Sequence, residues 1–183
     1  MFTNPEKEVA DLIYPFNGIT PTIHDSVYLA DYTTITGDVF IGANSSIWFQ
    51  TVIRGDVAPT IIGERVNIQD LCMLHQSPNR PLRIEDNVTV GHAVTLHSCH
   101  IKKGALIGMG SIILDGAVIG EGAYIGAGSL VPPGKVIPPH TLAFGRPAVP
   151  IRNVTDEDRK DMNRIQQEYQ DKAQLYKTMP SVR

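Results

Sequence analysis

A chain of 183 residues can bury a substantial core and needs no more than one domain with a short appendage. Its charged fraction of 19% and formal net charge of -3, with no basic run to neutralise successive phosphates, argue against a nucleic-acid partner. The acidic opening MFTNPEKEVADL has no apolar signal region and no run of about eighteen apolar residues follows, so no membrane association is expected and a soluble, cytoplasmic protein is.

In chain order, residues 1–22 read as a lead-in, 23–142 as a repeat, 143–154 as a connector, 155–178 as a helix and 179–183 as a tail. The repeat has a period of six. Aliphatic residues recur at Ile23, Leu29, Ile35, Ile41, Ile47 and Ile53, then at Ile62, Ile68 and Leu74, at Ile84, Val90 and Leu96, and from Ile101 through Ile107 to Ile137. Small or β-branched residues follow four positions later, and Gly often comes next after the aliphatic, as in Ile107-Gly108 and Ile119-Gly120, which suits a tight corner. Neither a globular helix nor a hairpin sheet repeats every six residues. A unit this short cannot bury its own aliphatic, so three units make a triangular coil of about eighteen residues and coils stack into a parallel β-helix. About six coils fit between Ile23 and Thr141. Extra residues around Ala58 to Ile61 and Arg80 to Arg83 read as corner loops, and the count runs one short between Leu96 and Ile101. After GRPAVPI, Thr155 with Asp158 resembles a capping box, and Met162, Ile165, Tyr169 and Tyr176 recur at helical spacing, giving one amphipathic helix that covers apolar surface.

With the loops subtracted, Ile53, Leu74 and Leu96 share one face on successive coils, so Arg54, His75 and His97 stack one rung, about 4.8 Å, apart. That spacing lets two imidazoles share one ion. Ile47, Ile68 and Val90 share the next face, where Gln69 and Asp70 lie one rung from Gly91 and His92. His92 follows its aliphatic by two residues and leaves the coil in another direction, so only a partner chain or a bent corner brings it to the same ion. A homotrimer with the metal between subunits satisfies this. His24, His100 and His140 have no stacked partners and read as ordinary surface or core groups, while Cys72 and Cys99 read as small buried hydrophobes.

The combination of IRGD, NIQD, MLH and GHAVTLH, within a stretch from about Tyr14 to Ile151, resembles the gamma-class carbonic anhydrase family and its carbonic anhydrase-like, ferripyochelin-binding-like relatives. The resemblance implies a left-handed winding of the β-helix and makes His75, His92 and His97 zinc ligands, with iron or cobalt as alternative occupants. It implies that Gln69 hydrogen-bonds metal-bound solvent, that Arg54 and Asp70 form a salt bridge across subunits, and that Asp56 is an interface and active-site carboxylate. Asn67, in the same motif, reads as loop-shaping. The implied activity is reversible hydration of carbon dioxide to bicarbonate by a metal-bound hydroxide at the subunit interface. Two departures stand out: Val57 occupies a position where family enzymes carry a glutamate, and the loop QSPNRPLR lacks their acidic residues, both associated with export of the product proton. Alternative readings are a metal-dependent acyl-coenzyme A thioesterase or hydrolase, a metal-stapled trimeric scaffold without catalysis, and a metal-free hexapeptide acyltransferase, the last opposed by the three histidines and the absence of a long inserted loop.

Overall fold

A computed structural model describes residues 12–179; the parts of the expected lead-in and tail at 1–11 and 180–183 lie outside the described residues. The chain winds as a parallel β-solenoid of about seven turns, closed by one helix. Each turn contributes strand to each of three faces, mostly as short separate strands, while Thr34–Ile41 and Val52–Ile62 run on from the first face to the second. The first face stacks Ile13, Ile35, Ile53, Leu74, Leu96, Ile113 and Val131. The second stacks Ile23, Ile41, Ile62, Ile84, Ile101, Ile119 and Ile137. The third stacks Leu29, Ile47, Ile68, Val90, Ile107, Ile125 and Ala143. These inward columns form one continuous core in which nearly every aliphatic is fully buried. Each contributes roughly 1.5–3 kcal/mol relative to exposure.

The turn beyond the expected six comes from both ends. Leu12–Tyr14 pairs with the strand Thr34–Ile41, putting Ile13 on Ile35. Four residues beyond the period hide this register, because Phe16 and Ile19 bridge in antiparallel fashion around a tight turn. An identical device, a bridge between Ser77 and Arg80, absorbs the four extra residues between Leu74 and Ile84. The other insertion sits earlier than the aliphatic spacing suggested. Gly37 faces Gly55 and Val39 faces Thr60, so the additional residues fall at 56–59. Backbone contact fixes this spot: a Cβ on Gly37, whose φ is +77°, would stand 2.5 Å from the Gly55 carbonyl oxygen. At the far end the expected connector is itself strand. Thr141–Gly145 completes the third face and turns back antiparallel as Ala148–Asn153, an arrangement to which a six-residue pattern is blind.

The helix Asp156–Thr178 starts at Thr155, whose side chain accepts from the Asp158 N–H while the Asp158 carboxylate accepts from the Thr155 N–H. It lies over the third face, burying Met162 and Ala173. Tyr169 and Tyr176 pack edge-on to the buried Trp48, with centroids 5.2 and 5.3 Å away. Gln166 reaches into the coil and accepts from Asn67 Nδ2 at 2.6 Å. Asn67 is therefore no loop residue: it is buried in the strand Asn67–Ile68 and also donates to Thr89 at 2.8 Å, tying helix to coil. Among the described residues no helix is long and apolar enough to cross a membrane.

Candidate functional site

The register that stacks Leu96 on Leu74 also stacks His97 on His75. Both side chains leave the first face at its edge with the second. His75 Nδ1 and His97 Nε2 face each other at 3.2 Å. The outer nitrogens are both taken by carboxylates: His75 Nε2 donates to Asp56 Oδ1 at 3.1 Å and His97 Nδ1 to Asp115 Oδ1 at 2.5 Å. Asp56 is in turn held by Arg54, whose Nε donates to Oδ2 at 2.9 Å, and Asp115 accepts from the Ser77 hydroxyl at 2.5 Å. Burial works to raise the pKa of Asp56, but the hydrogen bond and charge of Arg54, then His75, outweigh it and hold the carboxyl below its ordinary value. For Asp115 burial is likewise overcome, by hydrogen bonds from Ser77 and His97. Both are ionised at neutral pH and accept hydrogen bonds only.

This arrangement has a direct consequence. With a proton on each outer nitrogen, the two inner nitrogens present lone pairs to each other, an arrangement that a cation between them would satisfy. Two nitrogens each about 2.0–2.1 Å from one tetrahedral ion stand about 3.3 Å apart, close to the spacing found. The donor set therefore fits zinc, iron or cobalt, with carboxylates behind the imidazoles as metal-bound histidines usually have.

His92 is elsewhere. It lies at the opposite edge of the first face, on the corner shared with the third, in a column that the backbone bonds Ala93 N–H to Asp70 and Gly110 N–H to His92 hold in register. Its Nδ1 lies 2.7 Å from Asp70 Oδ2, and its Nε2 lies 3.3 Å from the Tyr169 hydroxyl. Burial and the nearby Asp70 push the Tyr169 pKa up to about 12, so the phenol stays protonated. Gln69, almost fully buried, reaches Asn67 at 3.3 Å on the same side. Among the described residues no three His, Cys, Asp or Glu side chains converge on one ion position. The expected residues thus form two groups: Arg54, Asp56, His75 and His97 at one edge, and Gln69, Asp70 and His92 at the other. Within the chain Arg54 pairs with Asp56 rather than Asp70.

His24 and His100 find surface partners in Ser26 and Glu85. Cys72 is buried against the Gly91 carbonyl, and burial pushes its thiol up to about 12; burial raises Cys99 as well. Neither is a thiolate ligand at neutral pH. Val57 points outward, and of the loop after His75 only Gln76 turns inward, where it is buried and donates to the Arg54 carbonyl, while Pro78, Asn79 and Arg80 are exposed.

Sequence reasoning missed Asp115, Ser77 and Tyr169. For Asp115 a signal existed, since Ile113 continues the column above Leu96 and Asp115 follows it by two. For Tyr169 there was none, because nothing in the sequence ties a helix position to a coil corner 77 residues earlier.

Known proteins resemble the chain in both sequence and structure. A family model described as bacterial transferase hexapeptide, six repeats, matches residues 98–133. A protein named carbonic anhydrase from Geobacillus kaustophilus is 66% identical over 172 residues, covering 94% of each chain. An uncharacterized transferase, YtoA, from Bacillus subtilis is 69% identical over 166 residues, covering 91% of this chain and 97% of its own. A crystal structure from Bacillus cereus, of the product of the BC4754 gene, described as an acetyltransferase, superposes with a TM-score of 0.91 at 69% identity, covering 92% of this chain and 98% of its own.

Proposed function

Because this chain belongs to the gamma carbonic anhydrase-like hexapeptide-repeat family, we propose that it interconverts carbon dioxide and bicarbonate at a divalent-metal site, zinc first among the candidates, shared between subunits of a homotrimer. The observation that carries this reading is the facing nitrogen pair of His75 and His97, each ring pinned by a carboxylate on its far side. A divalent ion bound by neutral imidazoles supplies Lewis acidity that lowers the pKa of water toward about 7.

The two groups lie on opposite edges of one face, which favours a heterologous contact that closes into a ring, His75 and His97 meeting His92 of the partner subunit. The edge bearing His92 suits an interface: Leu71, Met73 and Met109 beside it are 58%, 41% and 56% exposed. Charge balance agrees. Asp56, Asp70 and Asp115 back the three imidazoles; Arg54 neutralises one carboxylate, and a divalent ion would balance the other two. Gln69 would orient the substrate through its amide, and Tyr169, protonated at neutral pH, would donate a hydrogen bond beside His92. Asp56 cannot serve as proton shuttle while Oδ1 and Oδ2 are engaged by His75 and Arg54. With valine at position 57, the product proton leaves through buffer.

A second reading, a larger acyl substrate such as a thioester, is favoured by one feature. A cavity of about 340 Å³ between helix and coil opens beside His92 and is walled by Leu106, Met109 and Ile165, more space than carbon dioxide occupies. Metal content and stopped-flow carbon dioxide hydration, measured on one sample before and after chelation, test the first reading. Bound metal with hydration abolished by chelation is expected. Bound metal without hydration, with chelator-sensitive thioester turnover, would overturn it in favour of the second.

A further inference from the structure

Asp56, His75, His97 and Asp115 form an unbroken chain along the coil, carboxylate to imidazole to imidazole to carboxylate, with successive contacts of 3.1, 3.2 and 2.5 Å. Its two ends are built differently. The Asp56 end is anchored by a half-exposed arginine, Arg54, and Asp56 itself opens the surplus residues of the strand Val52–Ile62. The Asp115 end is anchored inside the fold: Ser77 donates its hydroxyl to Oδ2, the Ser77 N–H donates at 2.7 Å to Ser98 Oγ, and Ser98, nearly buried, donates at 2.9 Å to the Arg80 carbonyl. Ser77 and Arg80 bound the mini-hairpin inserted between Leu74 and Ile84.

We infer that Asp115, clamped by Ser77, is the positioning residue that selects the His97 tautomer and so presents Nε2 as a metal-binding lone pair. The inference rests on the metal-site reading above and adds a function for the mini-hairpin, which carries no acid of its own: it sets one carboxylate behind one ligand. An imidazole has one ring proton and two nitrogens that can hold it. An ionised carboxylate on Nδ1 keeps the proton there and leaves Nε2 free; without it the proton can sit on Nε2, where it must be displaced before an ion binds. Removal of a hydrogen-bond partner of this kind lowers metal affinity about 10–100-fold. Ser77 fixes the carboxylate rotamer, so its loss weakens binding less than loss of Asp115 itself.

The test uses the full-length metal-free protein with zinc as the probe, in competition with a chromophoric chelator, and long-range proton–nitrogen NMR of the imidazoles before metal is added. Wild type is expected to show His97 as a single Nδ1–H tautomer. Asp115→Ala is expected to show mixed or Nε2–H character and 10–100-fold weaker zinc binding. Asp115→Asn, which preserves shape and an accepting oxygen, is expected to keep the tautomer and fall between the two. Wild-type zinc affinity in either variant overturns the inference, as does an unchanged His97 tautomer in Asp115→Ala; if the alanine variant does not fold, Asp115→Asn decides by its affinity. His97→Ala separates the two levels: if it retains wild-type affinity the metal-site reading itself fails, whereas loss of zinc there with retention in Asp115→Ala removes only the role given to Asp115.

Discussion

Two variants that are each inactive should repair one another. His92→Ala removes the proposed ligand at one edge of the first face, and His75→Ala removes one at the opposite edge, leaving the other edge of each chain intact. In a closed ring every interface pairs the His75–His97 edge of one chain with the His92 edge of the next. A ring of three that contains both variants, whether two of one and one of the other or the reverse, has a single interface that draws its His75–His97 edge from the His92→Ala chain and its His92 edge from the His75→Ala chain. About one third of wild-type metal content and hydration rate is therefore expected in mixed rings, against near zero in either parent. Co-expression with two different tags, tandem purification and elemental analysis measure it. Both side chains lie outside the inward columns, so both variants should fold. If the mixed rings bind no more metal than the parents, the shared site is refuted, and His92 would have to reach His75 and His97 within one chain.

Four further outcomes are expected. Leu96→Ala empties a fully buried position directly beneath His97 and should cost about 2–5 kcal/mol in chemical denaturation, with metal lost as a consequence. Thr155→Ala removes the helix cap and should cost about 1 kcal/mol in the same assay. Asp158 has its pKa lowered chiefly by the hydrogen bond from Arg152. A depressed carboxylate stabilises above its unfolded value of about 3.9 and loses that contribution as pH falls through its folded value, so the melting temperatures of wild type and Asp158→Asn should differ at neutral pH and converge only in strong acid. Val57→Glu should raise hydration at low buffer concentration, by about tenfold or more, and flatten its dependence on buffer, as a positioned proton acceptor does; an unchanged buffer dependence would locate the limiting step elsewhere.

What the sequence made legible follows from how the solenoid is built. A period of six assigns each residue a face and a rung, so a distance along the chain becomes a distance in space. The stacking of His75 and His97 could therefore be read directly, and it holds in the structure. The same rule failed wherever backbone leaves the period. The first turn was hidden by the turn at Asn17 and Gly18, the return strand Ala148–Asn153 by its antiparallel direction, and the 56–59 insertion was misplaced because aliphatic spacing reports only that residues are surplus, while the close approach of Gly37 and Gly55 decides where they go.

The insertions are also where the chemistry of the candidate site gathers. Asp56 begins the first, and Ser77 opens the mini-hairpin of the second. The regular coil stacks the two imidazoles and, through Asp115 two residues after Ile113, puts a carboxylate behind His97, whereas the carboxylate behind His75 comes from the insertion, at Asp56. Residues outside the period are free of the rung spacing and can reach back along the coil to hold the outer nitrogen of one ring or the carboxylate behind the other. The departures from periodicity thus supply the contacts that turn two stacked histidines into a defined pair of donors. His92, the proposed third donor, lies at the far edge of the same face, where in the proposed trimer another copy of the chain would use it.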